Sequence, residues 1–190
     1  MSEQKAALRA QALERRNGID LETRIEGSLA LVEHGLTLDA LVDPAGKTVA
    51  GYHPIRSEMD PRPLMAACAA RGARLCLPVV LNKTTIVFRE LIRGAPLIDC
   101  GFGTVGPGPD APELDPDILL MPLSVFDQEG GRIGYGAGHY DRAIARLLKK
   151  GASPILLGIA FSLQEAHTVP TEAHDQPLSA IITETGTHVI

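Results

Sequence analysis

The chain has 190 residues, 45% of them hydrophobic and 22% charged, with a formal net charge of −5. Those values exclude a disordered chain and fit one domain of α/β size, residues 1–190, with enough sequence to bury a proper core. The acidic balance speaks against a general nucleic-acid binder, which needs a basic face. It still admits a small anionic ligand held by a few local cations. Cys68, Cys76 and Cys100 are odd in number and show no C-x-x-C spacing, so neither a disulfide framework nor a zinc site is expected. No apolar run approaches the length of a membrane span, and the polar, helical N-terminus does not read as a secretory signal. The expectation is a cytoplasmic protein, a monomer, with no nucleic-acid or membrane partner.

Along the chain, Glu3 to Arg16 holds strong helix formers, and Asn17-Gly18 stops it. Leu8 and Leu13, with the alanines, offer an apolar stripe. Lys5 and Arg9 are four apart and share a face, either solvated or turned to a polyphosphate. Leu21 to His34 reads as a second helix that packs through Leu21, Ile25, Leu29 and Val32. A connection to Gly46 follows, then a short strand, Thr48 to His53, ended by Pro54. Just past that strand end, Ile55 to Pro61 carries Glu58 and Asp60. Asp60 suits a helix N-terminus before Arg62 to Arg71. Glu58 suits that role less well and is a candidate ligand-binding carboxylate.

Leu75 to Val80, interrupted by Pro78, and Thr85 to Phe88 read as strands. Cys68 and Cys76 read as small core residues. Gly94 to Pro116 is dense in glycine and proline and reads as a long loop over the substrate side, with Phe102 and Val105 available to pack. Ile118 to Leu123 is a buried strand, followed by a turn at Asp127 to Gly131. Ile155 to Phe161 and Ser179 to Thr183 are further strands. The alternation predicts an α/β fold: a three-layer α/β/α domain with a mainly parallel central sheet.

Between the Asp127 turn and the helical pattern His139 to Lys150 lies Gly134-Tyr135-Gly136-Ala137-Gly138. A strand, a glycine-rich turn and a helix start make a geometry suited to phosphate: the backbone can approach the anion, and the helix N–H groups and dipole favour it. The spacing is neither G-x-G-x-x-G nor a Walker A loop. Arg132 and Arg142 flank the turn. Asp141, in the first helical turn, would repel phosphate unless Mg²⁺ intervened; simple dipole compensation is the plainer alternative. His139 and Tyr140 could line a cleft, and Tyr135 could stack on a flat ring. Asp175, after His174, could add a second carboxylate to a Mg²⁺ site or merely form a turn.

Arg132-Ile-Gly134-Tyr-Gly136-Ala-Gly138-His-Tyr140-Asp141-Arg142 resembles the R-L-G-x-G-G-G-Y-Y-D-R signature of 5-formyltetrahydrofolate cyclo-ligases. Further matches occur in order along the chain. Lys5 and Arg9 resemble a K-x-x-L-R pattern. Tyr52-His-Pro54 with Glu58-Met-Asp60 resembles Y-x-P and E-V-D, and Leu75 to Pro78 resembles V-x-L-P. Pro122 to Asp127 resembles P-x-x-A-F-D, and His174-Asp175 with Ile181 to Glu184 resembles the closing H-D and I-I-T-E. Four positions depart from the pattern: His139 replaces an aromatic, Ala137 a glycine, Gly106-Pro107 an E-P pair, and Pro61 a threonine.

The resemblance implies ATP- and Mg²⁺-dependent closure of 5-formyltetrahydrofolate to 5,10-methenyltetrahydrofolate, with ADP and phosphate released. It implies that Lys5, Arg9, Arg132 and the segment Gly134, Tyr135, Gly136, Ala137, Gly138, His139, Tyr140 and Asp141 bind ATP. It further implies that Asp141 and Asp175 serve Mg²⁺, that Tyr52, Glu58 and Tyr140 bind the folate, and that Tyr140 and Arg132 act at the reacting centre. A non-catalytic folate- or nucleotide-binding relative, and a different α/β enzyme acting on phosphate esters without ATP, are the competing readings.

Overall fold

A computed structural model of the protein describes residues 3–101, 103–172 and 175–190. Phe102 and His174, both singled out from the sequence, lie outside the described residues. The first half of the chain runs α1 (Glu3–Asn17), α2 (Leu21–Gly35), α3 (Asp39–Val42), β1 (Thr48–Ala50), α4 (Arg62–Ala70), β2 (Arg74–Asn82) and β3 (Thr85–Glu90). The second half runs β4 (Leu97–Asp99), β5 (Val105–Pro107), β6 (Ile118–Pro122), β7 (Val125–Phe126), β8 (Arg132–Ile133) and α5 (His139–Lys149). It closes with β9 (Ile155–Ile159), a 3₁₀ turn at Ser162–Gln164, β10 (Ala180–Thr183) and β11 (Gly186–Val189).

Among the described residues, seven strands form one sheet in the order β11-β10-β9-β6-β1-β2-β3. The pairs β10–β9, β9–β6, β6–β1 and β1–β2 are parallel. Only the outer pairs, β2–β3 and β10–β11, are antiparallel. Strands buried on both faces need continuous apolar runs, and β6 shows how they are used. Its Ile118 and Leu120 join the core beneath α2 and α4, with Leu31, Leu64, Met65 and Cys68. Its alternate residues Leu119 and Met121 join the opposite core, beneath Ala143, Ile144 and Leu147 of α5. The expected three-layer α/β/α arrangement with a mainly parallel sheet is therefore present.

Three readings of the sequence need correction. First, of the stripe expected on α2 only Val32 packs against the core; Leu21, Ile25 and Leu29 are more than half exposed. The helix turns inward through Gly27, Ser28, Leu31 and Gly35. A Cβ on Gly35 would stand 2.9 Å from Leu64, and one on Gly27 3.0 Å from Phe161, so small residues allow the close approach. Second, the segment from Gly94 to Pro116 is not structureless, because β4 and β5 pair as an antiparallel hairpin. This hairpin rests on β2 at Gly106, where a Cβ would meet Val79 at 3.0 Å. Third, Pro78 does not interrupt β2. The β1 pairing ends at Cys76, so Pro78 lies where β2 has a neighbour on one side only, a place where a missing donor is tolerated.

The chain crosses from β1 to β2 on one side and places β6 on the other. The sheet thus reverses its winding between β1 and β6, and the carboxyl ends of these strands flank a crevice of the kind where α/β sheets bind ligands. The Glu58 loop follows β1 and the glycine turn follows the β7–β8 hairpin, so both predicted halves of a site lie at this end. α1 covers it. Its Ala12 packs with Val125, Ile133 and Val169, fixing the helix against that hairpin.

Candidate functional site

The inward face of α1 is built on cations. Its buried positions are Lys5, Ala12 and Arg16, and Arg9 is half-buried between them. The spacing is i, i+4, i+7 and i+11, the stripe that normally carries leucine. Lys5 Nζ lies 3.1 Å from both Glu172 Oε1 and Asp175 Oδ2. Burial alone would lower the pKa of this ammonium. The bonds to Asp175 and Glu172 outweigh burial, and the net shift is upward. Arg9 Nε donates to the Gly134 carbonyl at 2.6 Å. Thus α1, the glycine turn and Asp175 come together.

The turn itself is held open by backbone geometry. Gly136 has φ 95° and Gly138 φ 63°, left-handed values that glycine adopts without cost. Ala137 is not among the positive-φ residues, so its methyl group is accommodated. A Cβ on Gly134 would meet nothing within 4 Å. Neither crowding nor backbone conformation demands glycine there, and its absence of a side chain leaves bare backbone accessible to a ligand. Arg142 secures the turn from outside: Nη2 donates to the Ala137 carbonyl, and Nε donates to Thr84 O at 2.7 Å. His139 is drawn to the same neighbour, with Nε2 3.0 Å from Lys83 O in the β2–β3 turn.

Arg132 lies under the turn with a side chain only 9% exposed. One Nη2 hydrogen bond, at 2.5 Å, reaches Asp141 Oδ1 in the first turn of α5. Its Nη1 is buried without a partner. Burial lowers the pKa of the guanidinium, while Asp141 and Asp175 act in the opposite sense, so both carboxylates lie near this one cation. A buried N–H donor without an acceptor is costly, and an arriving anion would relieve it.

Glu58 closes the other side. It is 8% exposed, and its Oε2 accepts from Ile55 N at 2.8 Å. Burial raises the carboxyl pKa, opposed by the Ile55 amide, Arg16, Tyr135 and Arg56. Tyr52 lies beneath this loop, and its hydroxyl donates to Met59 O at 2.7 Å, so it props the segment from below. Asp60 accepts from Arg62 N at 2.9 Å and fills the predicted helix-start role. Tyr140, in the first turn of α5, has a buried hydroxyl with no partner. Burial and the nearby Glu58 push that phenol well above its ordinary pKa, so it stays protonated and offers a donor.

The sequence reading missed Arg16, Ser57 and Glu172. Arg16 is 1% exposed; its Nε donates to Ser57 Oγ at 3.0 Å and its Nη2 to Tyr135 Oη at 2.8 Å. The available signal was its helical spacing from Lys5, Arg9 and Ala12. Glu172 carried no signal before the fold brought it to Lys5. Conversely Asp127, next to the turn, is structural: its carboxylate accepts from Gly131 N, Glu129 N and Val169 N.

The family model described as the 5-formyltetrahydrofolate cyclo-ligase family matches residues 1–184. The 5-formyltetrahydrofolate cyclo-ligase of Escherichia coli K12 is 30% identical over 142 residues, 72% of this chain and 77% of that protein. The Haemophilus influenzae protein of the same name is 28% identical over 159 residues, 80% of this chain and 83% of that one. The solution structure of Aquifex aeolicus 5,10-methenyltetrahydrofolate synthetase superposes with a TM-score of 0.80 at 28% identity, covering 97% of this chain and 92% of that one.

Proposed function

Because the chain belongs to the 5-formyltetrahydrofolate cyclo-ligase family, we propose that it converts 5-formyltetrahydrofolate and ATP to 5,10-methenyltetrahydrofolate, ADP and phosphate. The observation that carries this reading is Arg132. Its side chain is buried and bound to Asp141 by one arm, its Nη1 has no partner, and it stands two residues before the exposed glycine turn. That is an anion site prepared before its ligand arrives. An N-formyl amide is a poor electrophile, and its oxygen leaves badly. Transfer of the γ-phosphoryl group to that oxygen turns it into phosphate, a good leaving group. N10 of the same molecule then attacks the formyl carbon, with the advantage of an intramolecular reaction.

This chemistry asks the protein for positioning and charge neutralisation more than for a nucleophile. Lys5, Arg9, Arg132 and the backbone from Gly134 to Gly138, with the start of α5 at His139, Tyr140 and Asp141, would hold the triphosphate. Tyr140 keeps its proton and can donate to the oxygen being transferred. Glu58 would orient the folate near its formyl group, above the support given by Tyr52. Among the described residues no three His, Cys, Asp or Glu side chains gather as a metal cluster. Asp141 and Asp175, both near Arg132, are hard oxygen donors and would be the residues that hold a Mg²⁺ brought with ATP. When bound, that ion would neutralise phosphate charge during transfer.

The deciding experiment mixes purified protein with 5-formyltetrahydrofolate, with and without MgATP, and follows the methenyl product by absorbance. ATP-dependent product is expected; tight folate binding without product would reject the enzyme in favour of a binding protein. In the same assay Asp141→Ala should lower turnover by about 100-fold or more, the scale of losing one electrostatic catalytic contact, while folate affinity measured by calorimetry without nucleotide changes little. Equal loss of both, in a folded variant, would remove Asp141 from the nucleotide side.

A further inference from the structure

Arg16 stands outside every motif that identifies the family, yet it is among the largest fully buried side chains of the described residues. A buried guanidinium needs compensation. Among the described residues Arg16 forms no ion pair; its partners there are Ser57 Oγ, Tyr135 Oη and the face of the Tyr135 ring, 5.9 Å from Cζ to the ring centroid. Ser57 is itself fixed to α1, donating to Asn17 Oδ1 at 2.5 Å, and it immediately precedes Glu58. The Tyr135 hydroxyl accepts from Arg16, so one buried guanidinium holds the glycine turn at Tyr135 and the Glu58 loop at Ser57.

Tyr135 also belongs to the glycine turn. Its backbone lies between Gly134, whose carbonyl is held by Arg9, and Gly136 in a left-handed conformation. Its residue is 38% exposed, so the ring is only partly packed. Anything that orders the turn orders this ring, and the hydroxyl is carried with it. Resting on the functional reading above, we infer that Tyr135, Arg16 and Ser57 form a positioning relay through which a nucleotide on the glycine turn prepares the adjoining Glu58 for the folate. The coupling is reciprocal: a folate that engages Glu58 draws Tyr135 into place and orders the turn for the nucleotide. The ligand that binds second meets a segment already ordered, which is cooperativity without a large structural change.

The test is a binding square on the full-length protein. Calorimetry measures the Kd of 5-formyltetrahydrofolate with and without a non-hydrolysable ATP analogue plus Mg²⁺, and the Kd of the analogue with and without the folate. In the wild type each ligand should tighten the other, on the order of tenfold. Tyr135→Phe removes only the hydroxyl and should bring that factor close to one. Arg16→Met, which keeps an unbranched apolar stem, should do the same if it folds; circular dichroism checks this, and Tyr135→Phe carries the test if it does not. Because the factor is a ratio within one variant, uniform loss of affinity or stability cancels from it. A wild type that binds both ligands and turns over without mutual tightening overturns the relay and leaves the functional reading standing. Undiminished tightening in Tyr135→Phe also overturns it. A wild type that binds neither ligand overturns both.

Discussion

Glu58 is held in surroundings that oppose its own charge. Its carboxyl pKa is raised, with burial the largest cause and the Ile55 amide and Arg16 only partly offsetting it. A raised folded-state pKa means that ionisation costs folding free energy. The cost is absent below the ordinary glutamate value, where both states are protonated, and develops as pH rises through the folded-state value. Glu58→Gln keeps the shape and the acceptor for Ile55 N, and carries no charge. It should therefore melt at the same temperature as the wild type or higher at pH 7, with the difference vanishing at acid pH, while turnover falls sharply. Thermal melts across this pH range check it; a Gln variant that is less stable at pH 7 would show that the carboxylate is a net structural asset. Glu58 could be found in the sequence because it stands beyond a strand end and is spare to the helix start, where Asp60 accepts from Arg62 N. Arg16 could not be weighed in the same way, because a basic residue on a helix is ordinarily solvated and its burial depends on Ser57 and Tyr135 arriving from distant segments.

The elements themselves were mostly legible, since apolar runs such as Ile118 to Met121 have few alternatives to a buried strand. Which face of an element makes contact was less so. On α2, helical spacing marks Leu21, Ile25, Leu29 and Val32, yet only Val32 of these packs on the core, and the close contact is made where residues are small, at Gly27, Ser28 and Gly35, around the fully buried Leu31. Hydrophobicity measures what could be buried, and closeness of approach decides what is. Likewise the glycines and prolines of Gly94 to Pro116 obscured the short β4–β5 hairpin, which is specified by its fit on β2. Leu31→Ala should consequently cost about 2–5 kcal/mol by removing packed core volume. Ile25→Ser, on the exposed face, should change stability by no more than about 0.5 kcal/mol. Urea denaturation midpoints of the two variants provide the comparison, and a large loss for Ile25→Ser would mean that the leucine stripe is covered in solution.

At the scale of the molecule, the proposed nucleotide site is gathered from both ends of the chain. Lys5 meets Asp175, and Arg9 meets Gly134. The net charge of −5 concealed this, because total charge says nothing about where Lys5, Arg9, Arg16 and Arg132 converge. The long separations mean that the site forms only when the whole sheet is in place, with α1 as its last wall. α1 is fastened chiefly by polar contacts and a small apolar cluster about Ala12, so it should open locally at lower cost than the central strands. A ligand that binds only the closed form stabilises that form by mass action. Saturating MgATP analogue should therefore slow amide exchange in α1 and in residues 131–141 well beyond any change in β2 and β3. Hydrogen-exchange mass spectrometry reads this directly. Slowing confined to residues 131–141 would detach α1 from the nucleotide, and equal slowing throughout the sheet would mean that the ligand acts on global unfolding without closing a wall.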